Sequence, residues 1–144
     1  MKVLIDTNVW LDVALGREAF YTTSLTALYE FIDGGDEMCV AATSLKDVFF
    51  IVSRLEGAGA AYQALERIMD LATIIPVDGM VCASALPLER PDFEDGIIAA
   101  AAQAEEVGLI LTRDKEAFAA LGIEKMSPVQ LMEDRGWEEI ELPS

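Results

Sequence analysis

Apolar positions along the chain recur in short blocks, and the blocks alternate between two periods. Lys2–Ile5 is a brief apolar and β-branched run that stops at Asp6-Thr7-Asn8, which predicts a buried strand feeding a turn and a helix. Val9–Leu15 continues as a short apolar helix halted by Gly16. Phe20–Ile32 places Leu25, Leu28, Tyr29 and Ile32 on one helical face before Gly34-Gly35. Met38–Ala41 is a second strand. Thr43 or Ser44 is then expected to cap a helix reaching about Leu55, interrupted near Gly57 and Gly59. Ala60–Leu71 reads as a helix with Leu65, Ile68 and Met69 inward, Thr73–Val77 as a strand, and Met80–Leu86 as a short helix ending before Pro87. A small-residue helix opens at Phe93 or Glu94 and runs to Val107, stopped by Gly108. Leu109–Thr112 is a strand, Ala117–Leu121 a short helix and Ile123–Met126 a further strand. Ser127-Pro128 opens a last helix through Asp134, and an acidic, loose tail is expected from Trp137.

Strands that alternate with helices predict a mainly parallel sheet of four or five short strands covered on both faces, an α/β/α sandwich of three layers. With 144 residues and no repeat or linker, one domain is expected over residues 1–136, with 137–144 as a tail. No apolar run approaches the ~18 residues of a membrane span, and an acid at position 6 leaves no room for a signal-peptide core. A soluble, cytoplasmic protein is therefore expected, without membrane contact.

Composition narrows the chemistry. The chain has no histidine, and its two cysteines, Cys39 and Cys82, lie among apolar neighbours. Zinc sites and imidazole catalysis drop out, so any catalysis rests on carboxylates, hydroxyls, amines or a bound ion.

Ligands of such folds collect beyond the carboxyl ends of the strands. Asp6 follows the first strand, Asp114 follows the fourth, Asp95 lies in the first turn of the helix before it, and Asp47 lies about one turn into the helix after the second. Each has an ordinary explanation: helix capping for Asp6, dipole compensation for Asp95, turn chemistry for Asp114. Asp47 is harder to explain that way. Its neighbours Val48, Phe49, Phe50, Ile51 and Val52 predict a helix buried nearly all round, with no base at the positions three and four residues on. Two carboxylates ~4 Å apart repel by about 4 kcal/mol at an effective dielectric of 20. A cluster of four needs protons or a divalent cation, and oxygen-only ligands suit Mg²⁺ or Mn²⁺.

At these residues the sequence resembles the PIN-domain family, and within it the toxin nucleases of VapBC-type pairs. Val3-Leu4-Ile5-Asp6-Thr7-Asn8-Val9 is similar to the first family motif. Thr43-Ser44-Leu45-Lys46-Asp47 is similar to the second, with Asp where many toxins carry Glu. Asp92-Phe93-Glu94-Asp95-Gly96-Ile97-Ile98-Ala99-Ala100 resembles the third, and Ile110-Leu111-Thr112-Arg113-Asp114-Lys115 the fourth. The likeness spans roughly residues 2–133.

It implies a PIN-like sandwich and a metal-dependent endoribonuclease that hydrolyses RNA phosphodiester bonds. Asp6, Asp95 and Asp114 would hold Mg²⁺ (or Mn²⁺), and Asp47 would complete the catalytic set or orient the attacking water. Asn8 and Thr112 would support the site, with Arg113 and Lys115 as phosphate contacts. Asp92 and Glu94 read as capping and solvated acids, with a second-metal role as the alternative. A small antitoxin protein and a homodimer are the partners that the family implies.

Charge complicates this picture. The chain carries −16, and −12 remains once the four candidate acids are set aside. RNA is repelled at long range, so weak non-specific binding is expected, with Lys46, Arg90, Arg113 and Lys115 beside the motifs as local cations. Two alternatives stay open. A PIN-like module that binds RNA or protein without cutting fits the charge better. A phosphoryl-transfer enzyme also places Asp after the first strand, although the haloacid-dehalogenase pattern needs a second Asp where this chain has Asn8.

Overall fold

The computed structural model describes residues 1–88, 92–114 and 122–142. Lys115, Arg90 and the helix expected over residues 117–121 lie outside them.

Five strands form one parallel sheet: β1 (Lys2–Ile5), β2 (Glu37–Ala41), β3 (Thr73–Ile75), β4 (Leu109–Leu111) and β5 (Glu124–Met126), in the order β3-β2-β1-β4-β5. The middle strand is buried on both faces, which explains its uninterrupted apolar run: Val3, Leu4 and Ile5 are fully buried. Alternation divides the core. Val3, Ile5, Met38, Val40, Leu109 and Leu111 face one helical layer, and Leu4, Cys39, Ala41 and Ile110 face the other.

The first layer holds α1 (Thr7–Ala14), α2 (Tyr21–Asp33), α3 (Ala42–Glu56), α4 (Ala58–Leu71) and α7 (Pro128–Arg135). The second holds α5 (Gly79–Ala85), which runs into a single 3-10 turn at Leu86–Leu88, and α6 (Phe93–Ala104). In α6 the alanines 99–102 are buried. A Cβ on Gly96 would stand 3.1 Å from the Ala85 carbonyl oxygen, so the small residue sets how closely α5 and α6 approach.

Several expectations shift. α3 starts at Ala42, so its cap position falls on Ala41, which has no polar side chain, and Ser44 lies in the first turn, where its Oγ accepts from Thr7 Oγ1 at 2.8 Å. Nor is α3 buried all round: Phe50 is 59% exposed and Leu55 is exposed, so this helix buries a stripe through Ser44, Val48 and Val52. Met69 on α4 points outward. Gly59 lies inside α4, and the break falls at Gly57, whose φ of +92° suits glycine. The described part of the tail runs along α2. Trp137 packs edge-to-face on Phe31, the Ile140 N–H donates to Thr26 Oγ1, and Thr23 Oγ1 donates to Glu139.

Sheet order carries the functional consequence. From β1 the chain builds outward to β2 and β3, then returns to lay β4 on the opposite side of β1. The carboxyl ends of β1 and β4 therefore flank a switch point, where the following loops diverge and leave a crevice.

Candidate functional site

Asp6 stands at that crevice. Its backbone N–H donates to the Leu111 carbonyl oxygen at 2.9 Å, continuing the β1–β4 ladder by one residue and bringing the two strand exits side by side. Its carboxylate caps α1, with Oδ1 accepting from the Thr7 N–H at 2.8 Å and Oδ2 from Thr112 Oγ1 at 2.8 Å and Asn8 Nδ2 at 3.3 Å. Burial nonetheless raises the proton affinity of this carboxyl. The bonds from Thr112 and Thr7 oppose the shift, and the charge of Asp114 adds to it.

Thr112 and Asn8 brace the opposite wall. Asn8 Nδ2 also donates to Thr112 Oγ1 at 3.2 Å, and Asn8 Oδ1 accepts from the Arg113 N–H. Thr112 Oγ1 accepts in turn from the Asp114 N–H at 3.1 Å. One asparagine and one threonine thus lock the loops after β1 and β4 together, with Asp6 and Asp114 on either side.

Arg113 is anchored beside them. Its Nε and Nη2 donate in a fork to the fully buried Asp12 on α1, at 2.6 and 2.9 Å, and its guanidinium lies over the Phe20 ring, 3.8 Å from the centroid. Ser24 Oγ and Arg17 Nη1 also donate to Asp12, at 3.1 and 3.4 Å. The site reading from the sequence passed over Asp12. The argument made for Asp47, a carboxylate within an apolar helical run, applied equally to an Asp between Leu11 and Val13.

The third group arrives on α6. Asp92 caps this helix, its Oδ1 accepting from the Asp95 N–H at 2.9 Å. Asp95 is pushed up to about 7. Burial is the main cause, followed by the charges of Asp92, Asp6 and Asp114 and a hydrogen bond with Asp92. Asp95 thus lies within electrostatic range of Asp6 and Asp114, which are joined through Leu111 and Thr112 at the exits of β1 and β4. Asp47 joins them less directly. It stands within hydrogen-bond reach of Glu94, whose carboxyl is raised to about 7, first by that hydrogen bond and then by burial and by the charges of Asp47, Asp92 and Asp95. Lys46 Nζ donates to Asp47 at 2.9 Å, and that partner raises the lysine's own proton affinity. Asp92 is thus a cap, as the sequence suggested. Glu94 does more than face solvent, because it ties Asp47 to the α6 end of the cluster.

A sequence model of the PIN domain matches residues 2–116. The chain belongs to the PIN-domain family. As a PIN domain it shares its fold with solved structures of low sequence identity. A toxin–antitoxin complex from Klebsiella pneumoniae has a chain that is 20% identical, with a TM-score of 0.68, covering 88% of this chain and 97% of that one. VapBC2 from Rickettsia felis, bound to a DNA fragment from their promoter, is 16% identical, with a TM-score of 0.68 and coverage of 88% and 98%. VapC20 of Mycobacterium tuberculosis, a Sarcin-Ricin loop cleaving toxin, is 18% identical, with a TM-score of 0.67 and coverage of 84% and 95%. No curated protein sequence matches the chain.

The PIN domain's acidic edge offers oxygen donors alone, with no imidazole or thiolate among the residues named, and its acids raise one another's proton affinity. That donor chemistry fits a hard divalent cation. Among the described residues, no three His, Cys, Asp or Glu side chains are already arranged as ligands to one ion. Hydrogen bonds from Thr7, Asn8 and Thr112 offset the charge of Asp6, and Lys46 offsets that of Asp47. Among the described residues, no helix is long and apolar enough to cross a membrane.

Proposed function

We propose that this PIN domain is a metal-dependent endoribonuclease that hydrolyses RNA phosphodiester bonds, and that it is the toxin of a toxin–antitoxin pair. The observation that carries the reading is the placement of Asp6 and Asp114 at the adjacent exits of β1 and β4, bridged by Thr112 Oγ1, with Asp95 of α6 within range of both charges. A protein gains nothing in stability from gathering like charges there, whereas a cation-dependent hydrolase needs them.

In this reading Asp6, Asp95 and Asp114 hold Mg²⁺ or Mn²⁺. When bound, such an ion supplies an activated water and charge compensation for the phosphate oxygens. The chain's own residues do the rest. Thr112 and Asn8 hold the Asp6 carboxylate in one orientation, so its ligating oxygen is fixed before substrate arrives. Asp47 orients the attacking water from the rim, with Glu94 holding a proton against it. An antitoxin protein is the proposed partner, by analogy with the toxin–antitoxin complexes of the same fold, together with a homodimer and a cytoplasmic setting.

The −16 charge favours a second reading, a PIN module that binds RNA or protein without cutting. One experiment separates the two: incubation of a total-RNA pool with wild type and with Asp95→Asn, with and without Mg²⁺. Cleavage by wild type with Mg²⁺ alone is expected. Identical RNA profiles in all four reactions would remove the enzyme reading, and calorimetry with Mn²⁺ would then ask whether the acids bind an ion at all.

A further inference from the structure

A cavity of about 600 Å³ opens directly beside the acidic edge, and Thr112, Arg113 and Asp114 form its near wall. Its far walls belong to elements outside the family motifs: Phe20 before α2, Lys125 and Met126 on β5, and Pro128, Val129 and Gln130 on α7. The volume lies within the range of small-ligand sites, and the lining is apolar with a few polar groups.

Its electrostatics are unlike those of the chain as a whole. Asp12 is shared by Arg17 and Arg113, so that cluster carries a net +1, and in the lining Lys125 offsets the charge of Asp114. Arg113 is also held rigidly. The fork to Asp12 fixes two of its N–H edges, and Phe20 supports one face of its plane. A guanidinium braced in this way is a platform on which a nucleobase stacks, and it keeps N–H groups for a phosphate. The second large cavity, about 520 Å³ between α1, α2 and α4, contains Glu56 and Asp70 and does not adjoin Thr112 or Asp114.

We propose that the cavity beside Asp114 is an RNA subsite holding the nucleotide next to the cut phosphate. Its base lies against the Arg113–Phe20 stack and the Pro128–Val129 wall, and its phosphate lies toward Arg113 and Lys125. The inference rests on the nuclease reading and adds to it an answer to the charge problem. An acidic protein can seat a polyanion where a base, rather than a long basic face, supplies the grip.

Two surface changes test it. Val129→Trp at an exposed position fills the cavity, and Lys125→Gln removes a cation. With a single-stranded RNA octamer of mixed sequence and Mg²⁺, Val129→Trp should raise KM about tenfold with kcat within twofold. Lys125→Gln should make KM less sensitive to salt, by about one released counterion. Calorimetric Mn²⁺ affinity should match wild type in Val129→Trp, which shows that the acidic edge is intact. If wild type cleaves and both variants keep its KM and salt dependence, the subsite is wrong and the nuclease reading stands. If wild type cleaves no RNA, the nuclease reading fails and the subsite falls with it.

Discussion

The Asp12–Arg113 pair permits a sharp test of what holds the β4 exit loop in place. Asp12 is fully buried, whereas the Arg113 side chain is 25% exposed and that of Arg17 is 35% exposed. Removing the arginine leaves a carboxylate with no access to water, and removing the carboxylate leaves two cations that can rehydrate. Breaking a buried pair by deleting one partner typically costs ~3–5 kcal/mol. In Arg113→Met, Ser24 and Arg17 still donate to Asp12, which pulls the cost toward the lower end. Loss of the stack on Phe20 adds back roughly 0.5–2 kcal/mol. The expected loss is therefore ~3–4 kcal/mol for Arg113→Met, against ~1–2 kcal/mol for Asp12→Asn. The ordering follows from burial alone.

Urea denaturation at neutral pH measures both, with wild type and the double variant Asp12→Leu/Arg113→Met alongside. The double variant should cost less than Arg113→Met alone, because no orphaned carboxylate remains. A domain of this size has only ~5–15 kcal/mol to lose, so the single variant should stand out clearly. A loss below ~1 kcal/mol for Arg113→Met, or a larger loss for Asp12→Asn than for Arg113→Met, would refute the claim that this pair anchors residues 112–114.

Other outcomes follow from the same geometry. Asp95 and Glu94 both titrate near 7 in the folded chain, above the ordinary carboxyl range, so protonation favours folding. That contribution is complete below about pH 4 and gone above pH 7. Chelator-treated protein should therefore show a falling Tm between pH 5 and 8, less steeply in Asp95→Asn; equal slopes in scanning calorimetry would count against it. Mn²⁺ uptake should displace those protons, so calorimetric heats at pH 7 should vary with the ionisation enthalpy of the buffer, and buffer-independent heats would contradict this. Ser127→Ala removes one half of a reciprocal cap on α7, in which Ser127 Oγ accepts from the Gln130 N–H and Gln130 Oε1 from the Ser127 N–H. A loss of ~1 kcal/mol in urea is expected. Cys39 is buried and its thiol is pushed up to about 11, so a thiol reagent should label Cys82 first and reach Cys39 only on unfolding. Equal labelling rates in the native protein would overturn that order.

The parallel sheet was readable because its central strands carry runs such as Val3-Leu4-Ile5 and Leu109-Ile110-Leu111, where burial on both faces leaves no alternation to misread. Gly34-Gly35, Gly57 and the Ser127-Pro128 pair marked helix limits through backbone chemistry that is local to the sequence. Tertiary choices were harder to read. Ser44 looked like a cap, but α3 begins at Ala42, which leaves Ser44 inside the first turn, where its hydroxyl accepts from Thr7 on α1. Phe50 looked buried because it stands in an apolar run, yet the angle between successive helical residues turns it away from Val48 and into solvent. Within the site, the positions of Asp6 and Asp114 at the ends of β1 and β4 and of Asp95 in the first turn of α6 were legible from strand and helix limits. Asp12, Glu94 and the docking of Trp137 on Phe31 depend on partners that are distant in sequence, and residue spacing carries no trace of those.

Two ways of handling charge meet across a single loop here. On the β1–β4 crevice carboxylates accumulate: Asp6 is met by donors from Thr7, Asn8 and Thr112, Asp47 is met by Lys46, and Asp95 and Glu94 are pushed up to about 7. One residue away, Arg113 is committed to Asp12 through a fork whose geometry leaves little room to swing toward Asp114. In the proposed reading, a fork from Arg113 to Asp114 would add a fixed positive charge beside the aspartates and weaken their pull on a divalent cation. Burying Asp12 in α1 therefore does more than stabilise a loop. It commits the arginine that precedes Asp114 to α1 and leaves its guanidinium at the crevice rim, over Phe20.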